Sequence, residues 1–191
     1  MKLTIAIPTV NGREQQFEEL YDFIIDQCKP YGDDVEVIYL RDNKEISIGK
    51  KRQKLTDAAI GEYITMADDD DFLSKDYVYE IMNAIKSGPD CVGFEISCTG
   101  TQGKTASASN RWPDWKDNFG GFDYVRTPYH KTPIRRDIVL QIGYEDRRYG
   151  EDYFFSKKLK ESGLIKTEVY IPKVLYFYRF KYENPKTKFN M

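Results

Sequence analysis

Apolar residues along the chain alternate between two periodicities. Short apolar runs end at Pro, Gly or charge, and between them apolar residues recur every three to four positions. The run Leu3-Thr4-Ile5-Ala6-Ile7 reads as a buried strand over 3–7, closed by Pro8. Phe17, Leu20, Tyr21 and Ile24 then fall at helical spacing, predicting a helix over 14–27 that Lys29-Pro30 stops. A second strand follows over 35–40, a helix over 50–59 closed by Gly61, and a third strand over 63–67. Tyr77, Val78, Ile81, Met82 and Ile85 mark another helix, capped by Ser74 and ended at Gly88-Pro89, before a fourth strand over 91–96. Strands alternating with helices imply an α/β fold, a mostly parallel sheet with helices on its faces.

The stretch 99–132 breaks this rhythm. It is rich in Gly, Ser, Asn and Pro, with Trp112-Pro113-Asp114-Trp115 and Gly120-Gly121. Such composition predicts a long functional loop or a small hairpin excursion. Regularity resumes with helices near 134–142 and 151–162 and a strand near 174–180. The polar tail after Tyr182 is expected to be loosely ordered.

The most informative run is Glu62-Tyr63-Ile64-Thr65-Met66-Ala67-Asp68-Asp69-Asp70-Asp71-Phe72, an apolar strand ending in four aspartates. Four adjacent carboxylates at a strand end repel one another. Oxygen pairs there suit a hard divalent cation that also holds phosphate oxygens, and open α/β sheets bind ligands at that end. A solvated acidic turn is the alternative.

Bulk properties narrow the classes. A 191-residue chain that is 40% hydrophobic and 31% charged is globular, and fits a single domain over 1–191. Its first apolar run is too short for a signal peptide, and no run reaches a membrane span. Cys28, Cys91 and Cys98 lack metal-ligand spacing, so free thiols and a cytoplasmic setting are expected. The net charge of −2 divides unevenly: residues 1–98 carry 11 basic against 20 acidic side chains, and 99–191 carry 18 against 11. A basic second half suits an anionic partner, although scattered surface lysines give the same count.

Several stretches together resemble the family 2 glycosyltransferases. They are Ile5-Ala6-Ile7-Pro8-Thr9, Arg52, Gly61-Glu62-Tyr63-Ile64, the four aspartates, Ser74-Lys75-Asp76-Tyr77, Ile142-Gly143-Tyr144 and Gly150-Glu151-Asp152. The resemblance covers roughly 3–96 and 133–180. It implies a GT-A fold, Rossmann-like, with 1–98 as the nucleotide-sugar and metal half and 99–191 as the acceptor half. It further implies an inverting hexosyltransferase that uses Mn2+ or Mg2+ and a nucleotide sugar, with UDP-hexose as the expected donor.

Residue by residue, the resemblance makes Asp70 the metal ligand, with Asp68 supporting the metal or meeting the ribose. Thr9, Asp42, Arg52, Asp69 and Arg179 become nucleotide-side contacts, and Asp152 the general base with Glu151 beside it. Apart from the resemblance, Trp112 and Trp115 either stack on a sugar ring or a base as acceptor contacts or pin down the long loop, and Tyr149 is a further candidate acceptor contact. His130, the only histidine, completes the metal shell, touches the phosphates, or is an ordinary loop residue.

The sequence lacks the Gln-x-x-Arg-Trp motif of processive synthases, which favours single addition. Two acceptors fit: a glycan or glycoside, and hydroxymethylpyrimidine in DNA. The basic half, the tryptophans and the compact size argue for DNA. The rival classes are a nucleotidyltransferase, which normally carries a Gly-rich basic loop that Pro8-Thr9-Val10-Asn11-Gly12 does not resemble, and a non-catalytic sugar- or nucleic-acid-binding module.

Overall fold

A computed structural model describes residues 1–99 and 103–179. Residues 100–102 of the central excursion, Phe180 at the end of the expected last strand, and the tail after Tyr182 lie outside the described residues. In chain order the elements are β1 (Leu3–Val10), α1 (Glu14–Cys28), β2 (Val35–Asp42), α2 (Ile48–Ala58), β3 (Tyr63–Met66), β4 (Phe72–Leu73) and α3 (Tyr77–Ala84). Then come β5 (Cys91–Thr99), β6 (Lys104–Ala108), β7 (Lys116–Phe119), β8 (Phe122–Arg126), β9 (Ile134–Arg135), α4 (Arg136–Ile142), α5 (Glu151–Ser162) and β10 (Glu168–Arg179).

The strands form one mixed sheet in the order β2-β1-β3-β9-β5-β6-β8-β7, with β10 alongside β5 and β4 beyond it. β1 is parallel to β2 and β3, and β10 is parallel to β5. β9 runs antiparallel to β3 and β5, as do β6 to β5, β7 to β8 and β4 to β10. This is the GT-A arrangement, with more antiparallel pairing than simple strand–helix alternation implies.

The period of two in β1 explains the layering. Leu3, Ile5 and Ile7 share a core with Phe17, Leu20 and Ile24 of α1 and with Tyr77, Val78 and Ile81 of α3. Ala6 faces the opposite core, where Leu55, Ile138, Val139, Phe155 and Leu159 of the other three helices meet Ile64 and Met66 of β3. A strand buried on both faces is apolar nearly throughout, which is why 3–7 reads as a run.

Four expectations are corrected. β1 continues through Pro8 to Val10, because β3 pairs only as far as Ala6 and the proline lies where β1 has lost that neighbour. Of the two forms offered for the 99–132 excursion, the loop is the one corrected: among its described residues β7 and β8 form the hairpin, around Gly120-Gly121, and the added strand β6 joins it to the main sheet. The helix expected from 134 starts at Arg136, since Ile134 and Arg135 bridge β3 and β5. Asp76 occupies the N-cap of α3, while the Ser74 hydroxyl donates to Asp76 Oδ1 at 2.8 Å.

Candidate active site

The carboxyl ends of β1, β2 and β3 converge with the start of α5. At the end of β1, the Thr9 hydroxyl donates to Asp69 Oδ2 at 2.7 Å, and its carbonyl accepts from Lys51 Nζ at 2.5 Å. Lys51 also ion-pairs with Asp42, the last residue of β2, whose other oxygen accepts from the Ile46 amide at 3.0 Å. Lys51 and Arg52 are buried neighbours on α2. Their helix is seated by the Ser47 hydroxyl at its N-cap and by the backbone of the 143–150 loop. The Gly49 amide donates to the Arg147 carbonyl at 3.0 Å, and a side chain at Gly49 would place its Cβ 1.9 Å from the Glu145 oxygen.

The four aspartates diverge, and each meets a cation of the protein. Asp68 Oδ1 accepts from Arg52 Nη2 at 2.9 Å, while its Oδ2 lies 3.2 Å from both His130 Nε2 and Lys131 Nζ. Asp69 accepts from Arg13 Nη1 at 2.6 Å, and the same nitrogen is 3.2 Å from Asp70. Asp71 is buried, taking Lys131 Nζ at 2.5 Å, the Tyr176 hydroxyl at 2.8 Å and the Arg179 amide at 2.8 Å. The run's self-repulsion therefore does not itself demand a metal, because Arg13, Arg52 and Lys131 already balance it.

Arg52 joins the two halves of the site. Its Nε donates to Glu151 Oε1 at 3.1 Å, while Nη2 holds Asp68. Burial opposes its charge, but Asp68 and Glu151 more than compensate and raise its pKa. Burial likewise works against the Asp68 carboxylate, yet Arg52, Lys131 and His130 hold it well below the usual range. Burial raises Glu151, with Arg52 opposing. His130 falls to about 4 through burial and the Arg52 charge, so it is neutral near pH 7. Lys131 is pushed up by Asp68 and Asp71 against the effect of burial.

Glu151 and Asp152 open α5 directly after Gly150, whose φ of +74° suits glycine at that turn. Carboxylates there also face the positive end of the helix dipole. Asp152, Asp68, Arg52, His130 and Lys131 share the wall of a cavity of about 450 Å³. The rest of the lining is Trp115, Tyr124, Arg126, Tyr129 and Tyr178 over Ile96, Cys98 and Ala106.

Several expected residues lie elsewhere. Trp112 is buried against Phe119 and Phe122, with its Nε1 donating to Ser107 Oγ at 3.1 Å, so it fastens the β7–β8 hairpin. Tyr149 is 80% exposed and Arg179 lies over the Phe72 ring; neither lines the cavity, and Thr9, Asp42, Asp69, Asp70 and Glu151 also lie outside its lining. Sequence reasoning missed Arg13, Lys51, Lys131 and Arg126. For Lys51 the available signal was its place beside Arg52 on the face that also buries Leu55.

Among the described residues, no group of three or more His, Cys, Asp or Glu side chains forms a metal cage. Asp70 fits a leaner mode. It is part-exposed and tied only through the 42%-exposed Arg13, so one carboxylate can join diphosphate oxygens around Mg2+ or Mn2+. Asp68 is less free, with both oxygens already engaged.

The chain matches the model of glycosyl transferase family 2 over residues 24–139. No curated protein sequence matches it significantly. Among solved structures it resembles Staphylococcus aureus TarS residues 1–349, with a TM-score of 0.66 at 16% identity, covering 94% of this chain and 60% of that one. The TarS complex with UDP-GlcNAc gives 0.62 at 15% identity, covering 96% and 60%. The mannosyltransferase PcManGT from Pyrobaculum calidifontis, in complex with GDP-Man and Mn2+, gives 0.56 at 13% identity, covering 96% and 58%. This chain thus spans about 60% of the length of the TarS segment it resembles. No helix among the described residues is long and apolar enough to cross a membrane. The family match covers more than half of the chain and agrees with the GT-A fold: the chain belongs to glycosyl transferase family 2.

Proposed function

We propose that this domain transfers a hexose from a nucleotide sugar, UDP-linked by preference, to a hydroxyl of a sugar or glycoside, with inversion at the anomeric carbon. One observation carries the reading. Asp68 and Arg52 from the nucleotide side and Asp152 from the acceptor side line one cavity. Family membership favours this over a nucleotidyltransferase, and the paired donor and acceptor carboxylates favour it over a passive binding module.

The nucleoside lies by Thr9 and Asp42, whose positions Lys51 fixes. Asp70, with Asp68 in support, would hold a divalent cation, which would supply positive charge against the charge growing on the leaving diphosphate. Arg52 and Lys131 keep Asp68 ionised and oriented. Asp152 accepts the proton of the attacking hydroxyl, so the new glycosidic bond forms as the bond to the diphosphate breaks. Trp115, Tyr124 and Tyr129 supply faces on which a sugar ring can stack.

A sugar acceptor is the better fit. The case for hydroxymethylpyrimidine in DNA drew on the compact size, the tryptophans and the basic second half; Trp112 is buried against the hairpin, and several of those cations are taken up locally. Lys158 and Arg147 pair with Glu145, Lys173 with Asp76 and Glu80, and Arg135 with Asp137. Such pairing leaves less charge for a phosphate track.

The experiment is incubation with radiolabelled UDP-hexoses and Mn2+, with a glycoside panel and hydroxymethylated duplex DNA offered as separate acceptors. Sugar transfer or donor hydrolysis supports the proposal, and pyrophosphate release from a nucleoside triphosphate supports the rival enzyme. Asp70→Ala should lose Mn2+-dependent UDP affinity, and unchanged affinity removes Asp70 from the donor site. Transfer to DNA with a steep salt dependence would overturn the acceptor assignment.

A further inference from the structure

The far end of the cavity carries a cation with no part in the steps above. Arg126, at the end of β8, is 23% exposed and lines the same cavity as Asp152. Its Nη1 is anchored from behind by the carbonyls of Val125 at 2.8 Å and Lys116 at 3.1 Å. Its guanidinium carbon lies 4.9 Å from the Trp115 ring centre and 5.3 Å from that of Tyr124. Backbone and rings therefore fix the plane of the fork.

Its acid partner is poor. Asp117 is 64% exposed and stands 3.4 Å away, a longer contact than either carboxylate makes with Arg52. A partly desolvated, pre-oriented guanidinium with a weak partner is a receptor for a planar or tetrahedral anion.

Trp115 places that receptor relative to the proposed base. Its Nε1 donates to Ser156 Oγ at 2.9 Å, and its ring packs edge-on against Tyr153 at 5.4 Å. Ser156 is one helical turn after Asp152, so both residues sit on one face of α5. Arg126 is thus one indole away from the helix face that carries Asp152. The floor between is the apolar trio of Ile96, Cys98 and Ala106.

We infer that Arg126 selects acceptors bearing an anionic group, carboxylate or phosphate, about one sugar ring away from the hydroxyl that Asp152 deprotonates, with the ring face on Trp115. The inference rests on the glycosyltransferase reading and narrows its acceptor class.

The test is titration of the UDP-loaded protein with methyl glucoside, its 6-carboxylate and its 6-phosphate. At least one anionic probe should bind about tenfold or more tighter than the neutral one, the range of a charge-assisted hydrogen bond. The stronger of the two anions identifies the source. Arg126→Gln should abolish the preference, and Arg126→Lys should restore part of it by keeping charge without the fork. Thermal melts and UDP titration establish that both variants fold. Equal binding of neutral and anionic probes, a preference that survives in Arg126→Gln, or no binding of either anion at millimolar concentration overturns the inference. If UDP itself does not bind, the donor reading fails instead, and the two failures are read separately.

Discussion

Replacing Arg52 with Gln removes the one side chain that pairs with both Asp68 and Glu151. Arg52 is 3% exposed and Glu151 6%. Removing one partner of a buried ion pair costs about 3–5 kcal/mol, because the remaining charge is left uncompensated. The lower end applies, since Asp68 keeps some solvent along with His130 and Lys131. For a domain of this size, about 3 kcal/mol corresponds to a Tm lowered by about 6–12 °C.

The deficit should also depend on pH. Burial already holds Glu151 above its usual value with Arg52 opposing, so losing Arg52 raises it further. A carboxyl raised in the folded state contributes its full stability below the unfolded value of about 4.3 and loses it as pH rises through the folded value. Asp68, depressed in the folded state, contributes above its unfolded value of about 3.9. Weakening that depression costs stability equally at pH 8 and pH 5, both above that value, so the difference between the two pH values comes from Glu151. Calorimetric melts should show a larger deficit at pH 8 than at pH 5, and Glu151→Gln in the variant background should recover part of it. A Tm change below about 3 °C, or one equal at both pH values, would refute the reasoning.

Three other outcomes are expected. Asp152→Asn should keep UDP affinity, measured calorimetrically, while turnover falls about 100- to 10,000-fold; near-normal turnover excludes Asp152 as the base. Gly49→Ala forces a Cβ against the Glu145 carbonyl, so the melt should show a loss of about 1–3 kcal/mol, and an unchanged Tm would mean the 143–150 loop yields freely. His130, as the only histidine, gives one resolvable imidazole signal. In the metal-free protein its NMR titration midpoint should lie near 4, and stability should fall as pH drops from 6.5 towards that value; a midpoint at 6.5 contradicts its burial.

The donor half was largely legible because its strands are buried on both faces and its helices keep one apolar stripe. Phe155 and Leu159, with Gly163 after them, mark α5 in the same way. The hairpin strands were not legible. Lys116–Phe119 is exposed at every position, so no alternation betrays it as a strand. The aspartate run marked the right place, but its partners lie far away in sequence. Lys131 reads as a surface lysine until the fold sets it between Asp68 and Asp71, and Arg126 reads as one more cation in a polar loop. Polar residues become informative only through what tertiary structure puts beside them.

The cavity wall that carries Trp115, Tyr124 and Arg126 is built at one border of the sheet. β6, β8 and β7 add outward from β5 at the edge opposite β2, and β1, β2 and β3 make no strand pairing with any of them. If the proposed acceptor side is right, lengthening the β7–β8 turn with the Trp115–Ser156 bond kept should alter acceptor choice and leave UDP affinity unchanged. β6 is held in place by Ala106 and Ala108, which sit in the core with Leu3 and Phe94, so a graft meant to vary this border should be confined to the exposed β7–β8 turn around Gly120-Gly121.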